Sequence, residues 1–217
     1  DNDLPLHEAA LFGCAVITGA GAVINTARIL PGDSVAIVGL GGGVGLSGLL
    51  GAVLGGAETI VAIDLSDEKL GLARQLGATH TVNATDANHV EQVRDITDGG
   101  VDFAFDLAGT IKAMETAYNV TRYGGSVVTA GLSPSAANFS FNQSNLVSQE
   151  KSIRGSYMGS CVPVRDIPRF ISLYRQGRLP VDRLVDRTIG FDELNASFDK
   201  LQSNATVRQV LTPHGTA

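Results

Sequence analysis

Apolar and polar positions change period in a regular order along the chain. Residues 34–38 (Ser-Val-Ala-Ile-Val) form a short β-branched run that stops at a glycine cluster, as expected of a strand buried on both faces. Beyond the glycines, Leu46, Leu49, Leu50, Val53 and Leu54 recur at three- and four-residue spacing, which predicts a helix with one apolar face ended by Gly55-Gly56. Residues 59–63 give a second strand. Ser66 caps the next helix, Asp67 and Glu68 sit favourably in its first turn, Leu70, Ala73 and Leu76 face inward, and Gly77 ends it. The alternation then repeats: a short strand at 79–82, a polar helix at 88–97, a strand at 102–106, a helix at 111–122 stopped by Gly124-Gly125, and strands at 126–130 and 152–156. Six strands separated mostly by helices imply an α/β fold, a doubly wound parallel sheet built through right-handed crossovers. Outside it, residues 5–27 read as a helix leading into the first strand, and residues 164–217 as two helices and a closing strand at 208–211.

Composition narrows the class. With 217 residues, 44% apolar and 18% charged, the chain can bury a sizeable core, and its 26 glycines mark a turn-rich globular protein. A net charge of −6 removes the attraction to phosphate backbones that nucleic-acid binding relies on. Two cysteines, Cys14 and Cys161, are too few for a disulfide framework, and the charged start Asp1-Asn2-Asp3 is no signal peptide, so a cytoplasmic location is expected. Position 1 is Asp rather than Met, and the chain is read as a piece of something longer. Two uncharged stretches, 19 residues between Glu8 and Arg28 and 24 between Asp33 and Glu58, have the length of membrane spans. The second holds nine glycines and neither is flanked by an aromatic belt, so strand, turn and buried helix fit better.

The segment 39–45 (Gly-Leu-Gly-Gly-Gly-Val-Gly) follows the first strand and opens a helix, the context in which a glycine-rich turn cradles a pyrophosphate. The spacing G-x-G-x-x-G is not met from Gly39, because position 44 is Val; the glycines at 39, 42 and 45 read as a turn one residue longer. In it Gly39 allows the tight turn, Gly42 with Gly43 lets backbone approach phosphate, and Gly45 lets the helix pack close to the strand. Asp64 stands 19 residues after Gly45 at the end of the second strand, where a carboxylate accepts hydrogen bonds from ribose hydroxyls. A carboxylate ~4 Å from a 2′-phosphate charge costs roughly 1 to 4 kcal/mol as the effective dielectric falls from 80 to 20, so NAD is favoured over NADP. Lys69, five residues on, softens that repulsion.

With Gly13-Cys14, Thr18-Gly19, Ile63-Asp64, Gly77-Ala78-Thr79, Gly100-Val-Asp102, Gly124-Gly125, Arg154-Gly155-Ser156 and Val207-Arg208 added to the glycine turn, the chain resembles the zinc-dependent medium-chain alcohol dehydrogenases over nearly its whole length. The resemblance covers their cofactor-binding Rossmann domain and C-terminal segment only. It implies three parts: a catalytic-domain remnant and start of a linking helix at 1–15, the dinucleotide-binding domain at 16–157, and a C-terminal segment of the catalytic domain at 158–217. It implies an oxidoreductase that oxidises an alcohol, or reduces an aldehyde or ketone, by hydride transfer with NAD while zinc polarises the oxygen. Carried over by position, Cys14 is a zinc ligand in the full-length parent, Thr18 sits beside the nicotinamide and Val44 packs behind it. Asp64 and Lys69 hold the adenosine ribose, Arg208 reaches the pyrophosphate, and main-chain groups near Leu132 and Ser156 contact the carboxamide. Strand 152–156 pairs with its symmetry mate in a homodimer.

A catalytic zinc needs three protein ligands and an open position, and the other two belong to a domain outside this sequence. His7, His80, His89 and His214 show no metal-like spacing, and Cys161 reads as a free thiol. The chain itself is therefore expected to bind cofactor and dimerise without turnover. A zinc-free reductase of the same superfamily and a non-catalytic dinucleotide-binding module remain open alternatives. The short-chain dehydrogenases are excluded, because no Tyr is followed four residues on by Lys, and a methyltransferase has no need of Cys14 or Arg208.

Overall fold

A computed structural model describes residues 4–202 and 208–213. A long helix, α1 (Leu6–Ala27), leads into β1 (Ser34–Val38). There follow α2 (Val44–Gly55), β2 (Thr59–Asp64), α3 (Asp67–Gln75), β3 (His80–Asn83), α4 (His89–Ile96), β4 (Val101–Asp106), α5 (Ile111–Val120) and β5 (Thr121–Thr129). The remainder is α6 (Gln143–Ser148), β6 (Ser152–Gly155), α7 (Pro163–Arg175), β7 (Arg187–Ile189), α8 (Leu194–Gln202) and β8 (Gln209–Leu211). Strands β1 to β6 form one sheet in the order β3-β2-β1-β4-β5-β6, every pair parallel. This is the doubly wound α/β arrangement expected from the alternating pattern, with the strand order reversing between β1 and β4.

The central strands are apolar throughout because both faces are covered. Val35 and Ile37 of β1 join one core with Leu46, Leu49 and Phe105, while Ala36 and Val38 join a second with Val61, Ile63 and Val127. Helix α1 is long and apolar enough to cross a membrane by length and composition, yet Leu11, Phe12, Val16, Ile17, Ala20 and Val23 are buried in the first core. It crosses α2 at backbone contact: a Cβ on Gly19 would stand 2.0 Å from the Val44 carbonyl oxygen. Two stretches of α1, Phe12–Val16 and Ala22–Ala27, are π-helical. The expected caps form, with Ser66 accepting from the Lys69 amide and Gly56 and Gly77 left-handed behind α2 and α3.

Several boundaries differ from the sequence reading. The helix expected at 111–122 ends at Val120, and Gly124-Gly125 lie inside β5 rather than stopping a helix. Thr121 ends α5 unaided, turning to extended backbone while its hydroxyl donates to the Ala117 carbonyl at 2.7 Å. The glycines form a bulge instead: the pairing shifts between Val101 and Phe103, and Gly124 sits at φ +72°. Strand 126–130 is thus the second half of a longer β5, strand 79–82 moves one residue on to His80–Asn83, and strand 152–156 stops at Gly155. The closing strand is Gln209–Leu211 and pairs with β7, a strand the sequence did not suggest. Val207 and His214 lie outside the described residues.

Candidate functional site

The site is built at the carboxyl ends of β1, β2 and β4, where the strand order reverses and a crevice opens. At the end of β1 the Gly39 amide donates to the Ile63 carbonyl at 2.9 Å and the backbone takes φ +87°. A Cβ on Gly39 would stand 2.5 Å from the Ala108 Cβ, and one on Gly45 would stand 1.9 Å from the Gly39 oxygen, so both positions demand glycine for packing. Gly42 differs. Its φ is +65°, and a Cβ there would meet nothing within 4 Å, so its face of the turn is open. Helix α2 then starts at Val44 behind a left-handed Gly43, and among the described residues no side chain caps its first amides. An uncapped N-terminus of a 12-residue helix behind an open glycine turn presents N–H groups and a partial positive charge to an anion.

Charged side chains converge on that turn from three elements. Asp64, at the end of β2, accepts the Leu40 amide at 2.6 Å through Oδ2 and the Ser66 amide at 3.0 Å through Oδ1. Its carboxylate therefore pins the turn while retaining lone pairs for a ligand. Lys69 is buried in the first turn of α3, its Nζ 3.3 Å from where a Cβ on Gly41 would lie. Arg208, directly before β8, donates from Nη1 to the Gly42 carbonyl at 3.3 Å. Two cations, an uncapped helix and an acid at a neighbouring strand end suit a pyrophosphate joined to a ribose, and the residues present fit a dinucleotide.

The remaining candidates lie around the same edge. Thr18 and Val44 are half-buried, near the start of the α1–α2 crossing. The Leu132 side chain is exposed, but its backbone packs on Gly109, where a Cβ would stand 2.9 Å from the Leu132 nitrogen and oxygen. Ser156 is buried, its amide donating to the Thr129 carbonyl and its hydroxyl paired with that of Thr26, both at 2.8 Å. Cys14 is an exposed thiol on the π-helical stretch Phe12–Val16, not a buried one. Among the described residues no group of three or more His, Cys, Asp or Glu side chains could hold a metal ion, so the described residues do not by themselves complete a zinc site. His7 lies 4.0 Å from Glu8, His80 bonds Thr79, and His89 sits between the Asp86 carbonyl and the Thr116 hydroxyl. The Cys161 thiol is free; burial, with the charge of Asp166, pushes it up and away from nucleophilic character.

At the site, one buried acid escaped the sequence reading. Asp106, at the end of β4, accepts the Ala108 amide at 3.2 Å, the Gly109 amide at 3.3 Å and the Thr129 hydroxyl at 2.9 Å, tying together the loops after β4 and β5. Burial raises its carboxyl pKa against the lowering effect of those bonds. The available signal was an acid closing an apolar strand, the same placement that singled out Asp64.

The comparisons with known proteins agree with this geometry. A zinc-binding dehydrogenase family model matches residues 43–176. The S-(hydroxymethyl)glutathione dehydrogenase of Paracoccus denitrificans is 33% identical over 97% of this chain, which spans 58% of that protein's length. Benzyl alcohol dehydrogenase from Acinetobacter calcoaceticus superposes with a TM-score of 0.94 at 34% identity, over 98% of this chain and 58% of that one. The 2R,3R-butanediol dehydrogenase of Bacillus subtilis superposes with a TM-score of 0.82 at 26% identity, over 99% of this chain and 60% of that one. With a glycine turn, an uncapped helix and a strand-end acid assembled at the switch point of a parallel sheet, and with the family model matching well over half its length, the chain belongs to the zinc-binding dehydrogenase family.

Proposed function

We propose that the chain binds NAD as the cofactor-binding part of an alcohol dehydrogenase that interconverts an alcohol with an aldehyde or ketone. The observation that carries this reading is the uncapped start of α2 behind Gly42, flanked by Asp64 and Arg208. When bound, NAD supplies the hydride acceptor. The amides at the start of α2 and the Arg208 guanidinium hold the pyrophosphate, and Asp64 with Lys69 holds the adenosine ribose. Thr18 and Val44 would flank the nicotinamide, and main-chain groups at Leu132 and Ser156 would bond its carboxamide. The charge of Asp64 favours NAD over NADP by disfavouring a 2′-phosphate.

In a complete enzyme Cys14 would provide one zinc ligand; with one thiol in place of three donors, the 217 residues alone bind cofactor without turning over substrate. The exposed edge strand β6 is the surface proposed to pair with a second copy. Calorimetric titration with NAD, NADH and NADP tests the binding reading, and absorbance-monitored NADH formation with added alcohol tests turnover. Tight NAD binding, weaker NADP binding and no NADH formation are expected. Failure to bind NAD, or a preference for NADP, would count against the reading.

A further inference from the structure

The segment after β6 adopts a conformation that L-residues avoid. Met158, Gly159 and Ser160 follow one another at φ +47°, +66° and +50°, a left-handed turn in which two residues carry a Cβ. Such backbone persists only where its surroundings over-determine it. Here the support comes from α1. Gly159 is pressed so closely on the helix that a Cβ would stand 2.0 Å from the Ile17 oxygen and 2.7 Å from the Gly21 Cα. The Cys161 thiol donates to the Ile17 carbonyl at 3.3 Å and accepts from the Asn25 amide group at 3.2 Å. At the centre is Thr26, whose hydroxyl pairs with Ser156 before the turn and Ser160 at its end, each at 2.8 Å. The Thr26 carbonyl also receives Arg154 Nη1 at 3.1 Å, so the last strand residues are held to the same point.

This bracket lies where the second nucleotide half belongs. The pyrophosphate cradle stands at β1 and the ribose acid at β2, so a dinucleotide spanning the switch point carries its other base over the ends of β4, β5 and β6. The bracketed turn follows β6 directly and rests on Ile17, next to Thr18. Resting on the dinucleotide reading above, we propose that Thr26 is a positioning residue for the nicotinamide end of the cofactor. Through one hydroxyl it fixes the 156–160 backbone in a shape that residues with side chains do not hold alone. The adenosine and pyrophosphate contacts do not depend on it, since Gly39, Gly42, Asp64 and Lys69 make no hydrogen bond to Thr26, Ser156 or Ser160.

The test compares two ligands that share everything except the nicotinamide. NAD and ADP-ribose are titrated calorimetrically into the full 217-residue chain and into its Thr26→Val and Thr26→Ser variants. Thr26→Val is expected to weaken NAD about tenfold, or ~1.4 kcal/mol, with ADP-ribose unchanged within about twofold, and Thr26→Ser is expected to restore NAD affinity. Equal losses for both ligands would make Thr26 a general structural brace and overturn the proposal, as would no loss for either. Should Thr26→Val fail to fold, Ser160→Ala removes one arm of the bracket from an exposed residue and must show the same NAD-selective loss. Wild-type chain that binds neither ligand removes the dinucleotide reading and this proposal with it, whereas binding of both without selectivity removes this proposal alone.

Discussion

Two glycines three residues apart in the same turn are expected to fail in opposite ways when changed to alanine. At Gly45 the new methyl would lie 1.9 Å from the Gly39 oxygen and 2.7 Å from the Leu40 Cα, both backbone atoms, so α2 must lift from β1 by about 1 Å. Alanine normally improves a helix by ~1 kcal/mol over glycine. Overpacking against backbone costs about 1 to 3 kcal/mol, occasionally more, and a clash this close belongs at the upper end. A net loss of about 2 kcal/mol follows, which for a chain of this size lowers Tm by roughly 4 to 8 °C. At Gly42 the methyl would meet nothing within 4 Å, and the cost is the left-handed backbone at φ +65°. That is roughly 1 to 2 kcal/mol, offset by ~0.4 to 1 kcal/mol from a less flexible unfolded chain, so Tm falls by only a few degrees. The methyl stands on an open face of the turn, however, and under the proposed function a phosphate oxygen must come within about 3 Å of the backbone N–H groups there, so NAD affinity should fall at least tenfold. Thermal melts and calorimetric NAD titrations of both variants separate the effects. Wild-type NAD affinity in Gly42→Ala, or equal stability of the two variants, would refute the reasoning.

Three further outcomes are expected. Asp64→Ala should weaken NAD binding, narrow the preference over NADP, and lower stability by about 1 to 3 kcal/mol because the Leu40 and Ser66 amides lose their acceptor; parallel titrations and melts check all three. Lys151 is buried against the Tyr118 ring and donates to the Tyr118 carbonyl, and burial with the nearby Arg94 charge lowers its pKa to about 8. From pH 8 to 10.5 the unfolded lysine holds a proton that the native one has lost, so stability should rise with pH across that window and lose the slope in Lys151→Met. Asp102 is held below its ordinary pKa, the bonds from Ser34 and Arg122 outweighing the upward push of burial. Its stabilisation is present above the unfolded pKa of 3.8 and is lost as pH falls through the lower native value, so acid denaturation should be shallower in Asp102→Asn than in wild type.

The sheet was legible because its information is local: β-branched runs, a capping serine and terminating glycines sit within a few residues of the elements they define. The misreadings share a physical cause, which is dependence on partners remote in sequence. Gly124-Gly125 reads as a helix stop until the pairing of β5 with β4 turns it into a bulge. Strand β7 has three residues and acquires its identity from Gln209–Leu211, some twenty positions on. Helix α6 buries none of its residues and has no periodicity to betray it. At the site, Asp64 and the glycine turn were visible as spacing. The Thr26–Ser156–Ser160 bracket was not, because it joins side chains about 130 residues apart and a single glycine, Gly159, does not announce that Met158 and Ser160 on either side of it are left-handed as well.

The Arg208 bond to Gly42 spans 166 residues, and this gives the site a timetable. A ribosome adding ~5 to 20 residues per second delivers Arg208 roughly ten to thirty seconds after the glycine turn. In that interval the turn, the helix behind it and Asp64, all within a contiguous stretch of about thirty residues, are already made, while the guanidinium is not. Under the proposed function the Arg208 contact to the glycine turn is therefore the last part of the site to be made, completed when β8 closes on β7.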